Sequence, residues 1–152
     1  MTNSERLSFF RKKRKLTQKQ LGIAVGFAPG SADVRIAQYE TGQRNPNQST
    51  MLLLAKKLNV SPFALSVPSV RENVSLMHML FMLEDCCGLS VTNLNDKPCL
   101  QFSSDRSPCA AEINSNLYSW LLQKEKYLNN TISKEEYDQW RYCYPNKNSE
   151  VK

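Results

Sequence analysis

This chain of 152 residues has little of what several protein classes require. No apolar run approaches the roughly 18 residues of a membrane-spanning helix, and the start of the chain shows no apolar stretch between basic residues and a cleavage site. The expectation is a cytoplasmic protein with no membrane partner. There is one histidine, His78. A Ser-His-Asp or Cys-His pair would have to include it, yet its neighbours Met77, Met79 and Phe81 make a packed or half-exposed core histidine the better reading. With no nucleophile set beside a base and no clustered metal carboxylates, the chain reads as a non-enzyme with no cofactor and no metal site.

The five cysteines, Cys86, Cys87, Cys99, Cys109 and Cys143, are odd in number and contain no CxxC pair. That spacing supports neither a secreted disulfide framework nor a zinc knuckle. Buried, reduced thiols are expected, with a thiol sensor or soft-metal site as the alternative if folding gathers them. Asn47, Asn73 and Asn129 open Asn-X-Ser/Thr sequences, which without a secretory signal are chance matches.

Acidic residues are scarce in the first half. Residues 1–70 hold 11 Lys and Arg against Glu5, Asp33 and Glu40, a net +8, while residues 71–152 hold nine against 11, a net −2, and the two sum to the chain's +6. The basic half is the candidate for a polyanionic partner.

Local signals divide that half into five helices. Leu7 and Phe10, three apart, sit beside the run Arg11 to Lys15 and predict a short first helix from Ser4. Thr17 followed by Gln20 is a capping-box pattern for a second helix over residues 18–25, ended by Gly26. Ala28, Pro29, Gly30 and Ser31 make a loop before a third helix over residues 32–41, with Asp33 in its first turn and Gly42 beyond its end. Pro46 and Asn47 open a fourth, carrying Met51, Leu52, Leu54, Ala55 and Leu58 and stopped by Asn59. Ser61 and Pro62 start a fifth through Leu65.

Val67, Pro68 and Ser69 mark a boundary, because proline disfavours helix and the charge changes sign there. Beyond it, Ser69 and Glu72 form a capping pattern for a helix to about Cys87, with Val74, Met77, Leu80, Phe81 and Leu83 core-like and Gly88 as terminator. Leu89 and Val91, then Leu100 and Phe102, alternate with polar residues around Asn95, Asp96, Lys97 and Pro98, the pattern of a β-hairpin. Residues 109–128 return to helical spacing through Ile113, Leu117, Trp120 and Leu121, and Ser133 with Glu136 caps a last helix carrying Tyr137 and Trp140. The aromatic set of Tyr118, Trp120, Tyr127, Tyr137, Trp140, Tyr142 and Tyr144 reads as core or dimer contact rather than a ligand cage.

From Arg11 to Leu65 the chain resembles the Xre/Cro family of helix-turn-helix repressors. The resemblance is carried by Leu16-Thr17-Gln18, Leu21, Gly26, Ile36, Tyr39, Glu40, Gly42, Arg44, Pro46 and Leu54-Ala55 with Leu58 and Val60. It implies a mostly α fold: a five-helix lambda-repressor-like DNA-binding domain over residues 1–66, then a small α+β domain with helices and a candidate hairpin. That second domain, residues 67–145, would dimerise or sense a signal, and residues 146–152 are expected to be a disordered tail.

It implies as well that the third helix enters the major groove while the second anchors on phosphate. Gln18 would bond a phosphate. Asp33, Val34, Arg35 and Gln38 would face the bases, with Arg35 suited to guanine and Gln38 to adenine. Asp33 has two readings, acceptor from cytosine or helix cap. Arg44 and some of the Lys12, Lys13, Arg14, Lys15 run would contact phosphate, Lys12 and Arg14 foremost, or for the run simply form a solvated face. Arg11 and Glu40 match positions that form a buried ion pair.

Between Gly26 and Ile36 the chain has four residues more than the family pattern, which either extend the third helix or lengthen the loop. In the second case Ser31 could touch the DNA backbone. The expected function is a sequence-specific regulator, a repressor acting as a homodimer on double-stranded DNA, with an effector or partner protein at the second domain. The alternative is an antitoxin-like protein that autoregulates its operon and binds a partner through residues 67–145.

Overall fold

The computed structural model describes residues 2–66, 73–103 and 107–145. They form two compact units, Met1–Ser69 with Asp138–Lys152, and Val70–Tyr137. The expected capping pair Ser69 and Glu72 and the expected disordered tail at 146–152 lie outside the described residues.

The first unit contains α1 (Asn3–Lys13), α2 (Gln18–Ala24), α3 (Ala32–Glu40), α4 (Gln48–Leu58) and α5 (Pro62–Leu65). Their limits follow local chemistry. Thr17 Oγ1 accepts from the Gln20 amide while the Gln20 side chain accepts from the Thr17 amide, so two otherwise orphaned donors are satisfied at the start of α2. Thr2 and Glu5 do the same for α1, a pair that sequence reading passed over. Gly42 at φ +76° turns the chain out of α3, and Asn59 in the left-handed conformation ends α4.

One face of each helix meets in a shared core of Leu7, Phe10, Leu21, Val25, Ile36, Tyr39, Leu54, Ala55, Leu58, Val60 and Leu65. Phe10, Leu21, Ile36, Leu54, Leu58 and Leu65 are fully buried. Side chains of this size each stabilise by roughly 1.5–3 kcal/mol when taken from water.

Helix α8 (Lys134–Cys143) corrects the expected domain limits. Sequence reading assigned it wholly to the second domain, but from Asp138 onward it belongs with the first unit. Tyr142 stands edge-on to Phe10, ring centroids 4.9 Å apart, and its carbonyl accepts from the Ser61 amide at 2.8 Å. Gln139 Nε2 donates to the Asn59 carbonyl. No local signal announces a contact made across more than 80 residues.

The second unit holds α6 (Asn73–Cys87), the hairpin β1 (Leu89–Leu94) and β2 (Lys97–Phe102), and α7 (Pro108–Leu128). The hairpin expected from alternation is present, and its antiparallel pairing sets Leu89 opposite Phe102 and Val91 opposite Leu100. Asn95 and Asp96 both have positive φ, 51° and 60°, which matches the twist of a two-residue hairpin turn. Ser107 caps α7, and Ser133 with Glu136 caps α8 as anticipated.

The expectation for α6 fails in one respect. Val74, Met77 and Phe81 are exposed, Leu80 and Leu83 are only half-buried, and no described residue of α6 is buried. His78 is likewise exposed, its ring edge-on to Phe81. Among the described residues of this unit, Leu89, Ala110 and Tyr137 are the buried ones. Tyr137 is held by Trp120, whose Nε1 donates to its hydroxyl at 2.7 Å, and by parallel stacking on Tyr127. No helix among the described residues is long and apolar enough to cross a membrane.

Candidate nucleic-acid interface

Helix α3 is two-faced. Ala32, Ile36 and Tyr39, spaced four and three apart, are buried against the rest of the first unit. Seen down the axis, Val34 and Gln38 lie on the far side and Arg35 on the flank beside Tyr39, with Ser31 just before the first turn. Val34 and Arg35 are exposed and Gln38 and Ser31 half-exposed, so this stripe is open.

The extra residues at the turn lengthen the loop. Residues 27–31 lie outside both helices, and α3 begins at Ala32. Phe27 in that loop packs against the core and lies under Arg35, whose guanidinium carbon is 5.1 Å from the ring centroid. Stacking over an aromatic face restrains the guanidinium yet leaves its N–H edge available for a second partner. Asp33 Oδ1 accepts from the Val34 amide at 2.9 Å, so its carboxylate serves the helix start. Ser31, at the N-cap position, makes no capping bond, and its hydroxyl reaches the Ala28 carbonyl at 3.4 Å.

Close approach of α2 and α3 depends on Gly22, a residue that the sequence reading did not single out. A Cβ placed there would lie 2.5 Å from the Ala32 carbonyl oxygen and 2.8 Å from its Cβ. A glycine inside a helical pattern is the available signal, since it costs about 1 kcal/mol against alanine unless packing requires it. Gly22→Ala is expected to lower stability by about 1–3 kcal/mol through overpacking, despite the gain in helix propensity. Thermal melting checks this, and a variant more stable than the parent would count against the contact.

The ion pair suggested by the resemblance is present. Arg11 Nε and Nη2 donate to the two Glu40 carboxylate oxygens at 2.6 and 2.9 Å. The side chains are 11% and 6% exposed. Arg11 Nη1 donates to the Leu16 carbonyl, and Gln18 Nε2 donates to Glu40 at 2.9 Å. Burial pushes the Glu40 carboxyl up. Hydrogen bonds from Arg11 and Gln18, the charge of Arg11 and a bond from Ser8 outweigh it and hold the group below the usual carboxylate range. Gln18 therefore braces the ion pair with one amide N–H and keeps a second for another acceptor.

The basic residues divide into engaged and open. Arg14, assigned to phosphate by resemblance, is half-buried and committed elsewhere: Nε donates to the Leu58 carbonyl, and Nη2 to the Asn59 carbonyl and Gln139 Oε1. A cation at the carbonyl end of α4 is favoured there by the helix dipole. Lys13 pairs with Asp138 at 3.2 Å. Lys12, Lys15, Lys19, Arg35 and Arg44 are exposed. Arg44 lies in the turn after α3, three residues beyond its C-cap Thr41, its amide donating to the Gln38 carbonyl.

The expected burial of the cysteines is not found. Cys86 and Cys109 are exposed, and the other three are partly so. Cys87 Sγ lies 2.9 Å from Cys109 Sγ and 3.5 Å from Cys86 Sγ. Hydrogen bonds with Cys109 and then Cys86 keep the Cys87 thiol protonated, its pKa pushed up to about 12.

Two closely packed helices joined by a short loop, the second with an open stripe beside exposed cations, define a DNA-binding helix-turn-helix domain. Residues 7–65 match the family described as Helix-turn-helix, and through this segment the chain belongs to that family of DNA-binding transcription regulators. Among solved structures, the chain is similar to the P22 c2 repressor protein in complex with a synthetic operator. The identity is 36%, covering 43% of this chain and 94% of that one, with a TM-score of 0.39. It is similar also to the transcriptional regulator BswR, at 28% identity over 56% of this chain and 94% of that one, with a TM-score of 0.43. No curated protein matches it.

Proposed function

We propose that the protein is a sequence-specific repressor that acts as a homodimer, laying α3 in the major groove of each of two half-sites. The observation that carries this reading is the open stripe of Val34, Arg35 and Gln38 on a helix whose other face is locked into the core. Arg35 offers a bidentate edge for guanine, Gln38 an amide for adenine, and Val34 an apolar contact for a thymine methyl. Lys12, Arg44, Ser31 and the second N–H of Gln18 are the groups for phosphate, which set position without reading sequence. Asp33 is assigned to the helix start on the strength of its bond to the Val34 amide. Half-sites one helical turn apart, roughly 34 Å, would seat two copies, and their occupancy would exclude polymerase.

Selection of bound sequences from a random duplex pool tests this directly. A two-fold symmetric site is expected. In titrations against that site, log affinity should fall with log salt by roughly 0.9 per phosphate neutralised. Failure to bind any duplex in dilute buffer would remove the proposal.

A further inference from the structure

Three of the five cysteines meet at the base of the hairpin. Cys86 and Cys87 close α6, and Cys109 stands in the first turn of α7. Cys87 Sγ is the middle sulfur, 2.9 Å from Cys109 Sγ and 3.5 Å from Cys86 Sγ. Cys87 and Cys109 are 22 residues apart in sequence, with both strands of the hairpin between them.

Their meeting is fixed by the packing of the second unit. Leu89, two residues after Cys87, and Ala110, next to Cys109, are among the few buried residues described there. The Gly88 carbonyl accepts from the Ser103 amide at 3.0 Å, which closes the base of the hairpin. Asn114 Nδ2 donates to the Phe102 carbonyl at 2.8 Å and ties α7 to β2, while Ser107 Oγ accepts from the Cys109 amide at 3.2 Å. The two sulfurs are therefore held against each other by bonds on either side, and do not ride on freely swinging segments.

We propose that Cys87 and Cys109 are a reversible oxidation site, closing to an intrachain disulfide when hydrogen peroxide reaches them. The sulfurs need to approach by less than about 1 Å to reach the roughly 2.05 Å of an S–S bond. Cys86 and Cys87 are the poorer pair, because consecutive Cα atoms are about 3.8 Å apart, short of the roughly 4.4–6.8 Å that a disulfide spans. Cys109 is exposed and Cys87 only partly so, so the peroxide meets Cys109 first. The Cys109 thiolate attacks one peroxide oxygen, the O–O bond breaks, and the departing hydroxide takes up a proton, leaving a sulfenic acid on Cys109. Cys87 is the second to react, since hydrogen bonds with Cys109 and then Cys86 keep its thiol protonated, with its pKa pushed up to about 12. Its sulfur displaces the sulfenic hydroxyl, which leaves with the Cys87 proton as water. Two thiols thus give up two electrons and two protons, and hydrogen peroxide becomes two waters. A small dithiol reverses the change by thiol–disulfide exchange.

Thiol titration and peptide mapping of the full chain, before and after hydrogen peroxide, test the site. Free thiols should fall by two from the chain's five, with one link between Cys87 and Cys109, and dithiothreitol should restore them all. Cys109→Ser should leave no intrachain link, whereas Cys86→Ser should keep it. Circular dichroism equal to the parent's would show that the variants fold. Five thiols surviving the peroxide, a link that joins two chains or another pair of cysteines, a link that persists in Cys109→Ser, oxidation that dithiothreitol does not reverse, or protection by zinc held on the native thiols would each overturn the inference. None of these readouts involves DNA, so the proposed function stands or falls separately.

Discussion

Replacement of Glu40 by alanine should unfold much of the first unit rather than weaken DNA binding selectively. Arg11 is held by Glu40 through two hydrogen bonds in a nearly water-free setting, so truncation leaves a guanidinium without its counter-charge. Breaking a buried pair in this way costs about 3–5 kcal/mol, a large part of the roughly 5–15 kcal/mol that holds a domain of this size. At roughly 4–8 °C per kcal/mol, the melting midpoint should fall by more than about 12 °C. Replacing both partners with apolar residues, Arg11→Met with Glu40→Leu, should recover part of the loss, because no charge is then stranded.

The same pair makes a pH prediction. The folded-state pKa of Glu40 lies below its ordinary value of 4.5, so its contribution is fully present above that value and is lost as pH falls through the folded value. Acid melting should steepen below about pH 4.5 in the parent and less so in Glu40→Gln. A Glu40→Ala protein that melts with the parent would falsify the structural role.

The second large effect is expected at the reading face. Arg35→Ala and Gln38→Ala should each weaken binding to the preferred site by about 1–3 kcal/mol, roughly 5- to 150-fold. Affinity for unrelated duplex should change far less. The salt slope should stay nearly constant, since no phosphate contact is lost. Lys12→Ala and Arg44→Ala should show the opposite pattern, a uniform loss across sequences with a shallower slope by about one unit. Competition titrations at two salt concentrations separate the cases. An unchanged preferred sequence in the Arg35→Ala, Gln38→Ala double variant would refute the assignment.

What could be read in advance was whatever a few neighbouring residues decide. Thr17 with Gln20, Gly42, Asn59 and Pro62 set helix ends through bonds and backbone angles formed within four residues, and α3 begins at the expected residue. The Arg11 and Glu40 pair was legible through family likeness, although the two lie 29 residues apart. Arg14 and Gly22 were misread or missed because their meaning is tertiary. One is defined by carbonyls at Leu58 and Asn59, the other by the backbone of Ala32. The error at α6 has another cause: apolar spacing tells which residues would gain from leaving water, but not whether the fold brings anything over them.

The return of Asp138–Cys143 to the first unit bears on how this protein can be cut and spliced. Because the aromatic lid over Phe10 comes from Tyr142, the first unit is closed by a discontinuous stretch of polypeptide. An excised piece ending at Ser66 would leave that ring bare, whereas joining residue 66 to residue 138 by a short spacer would keep it roofed.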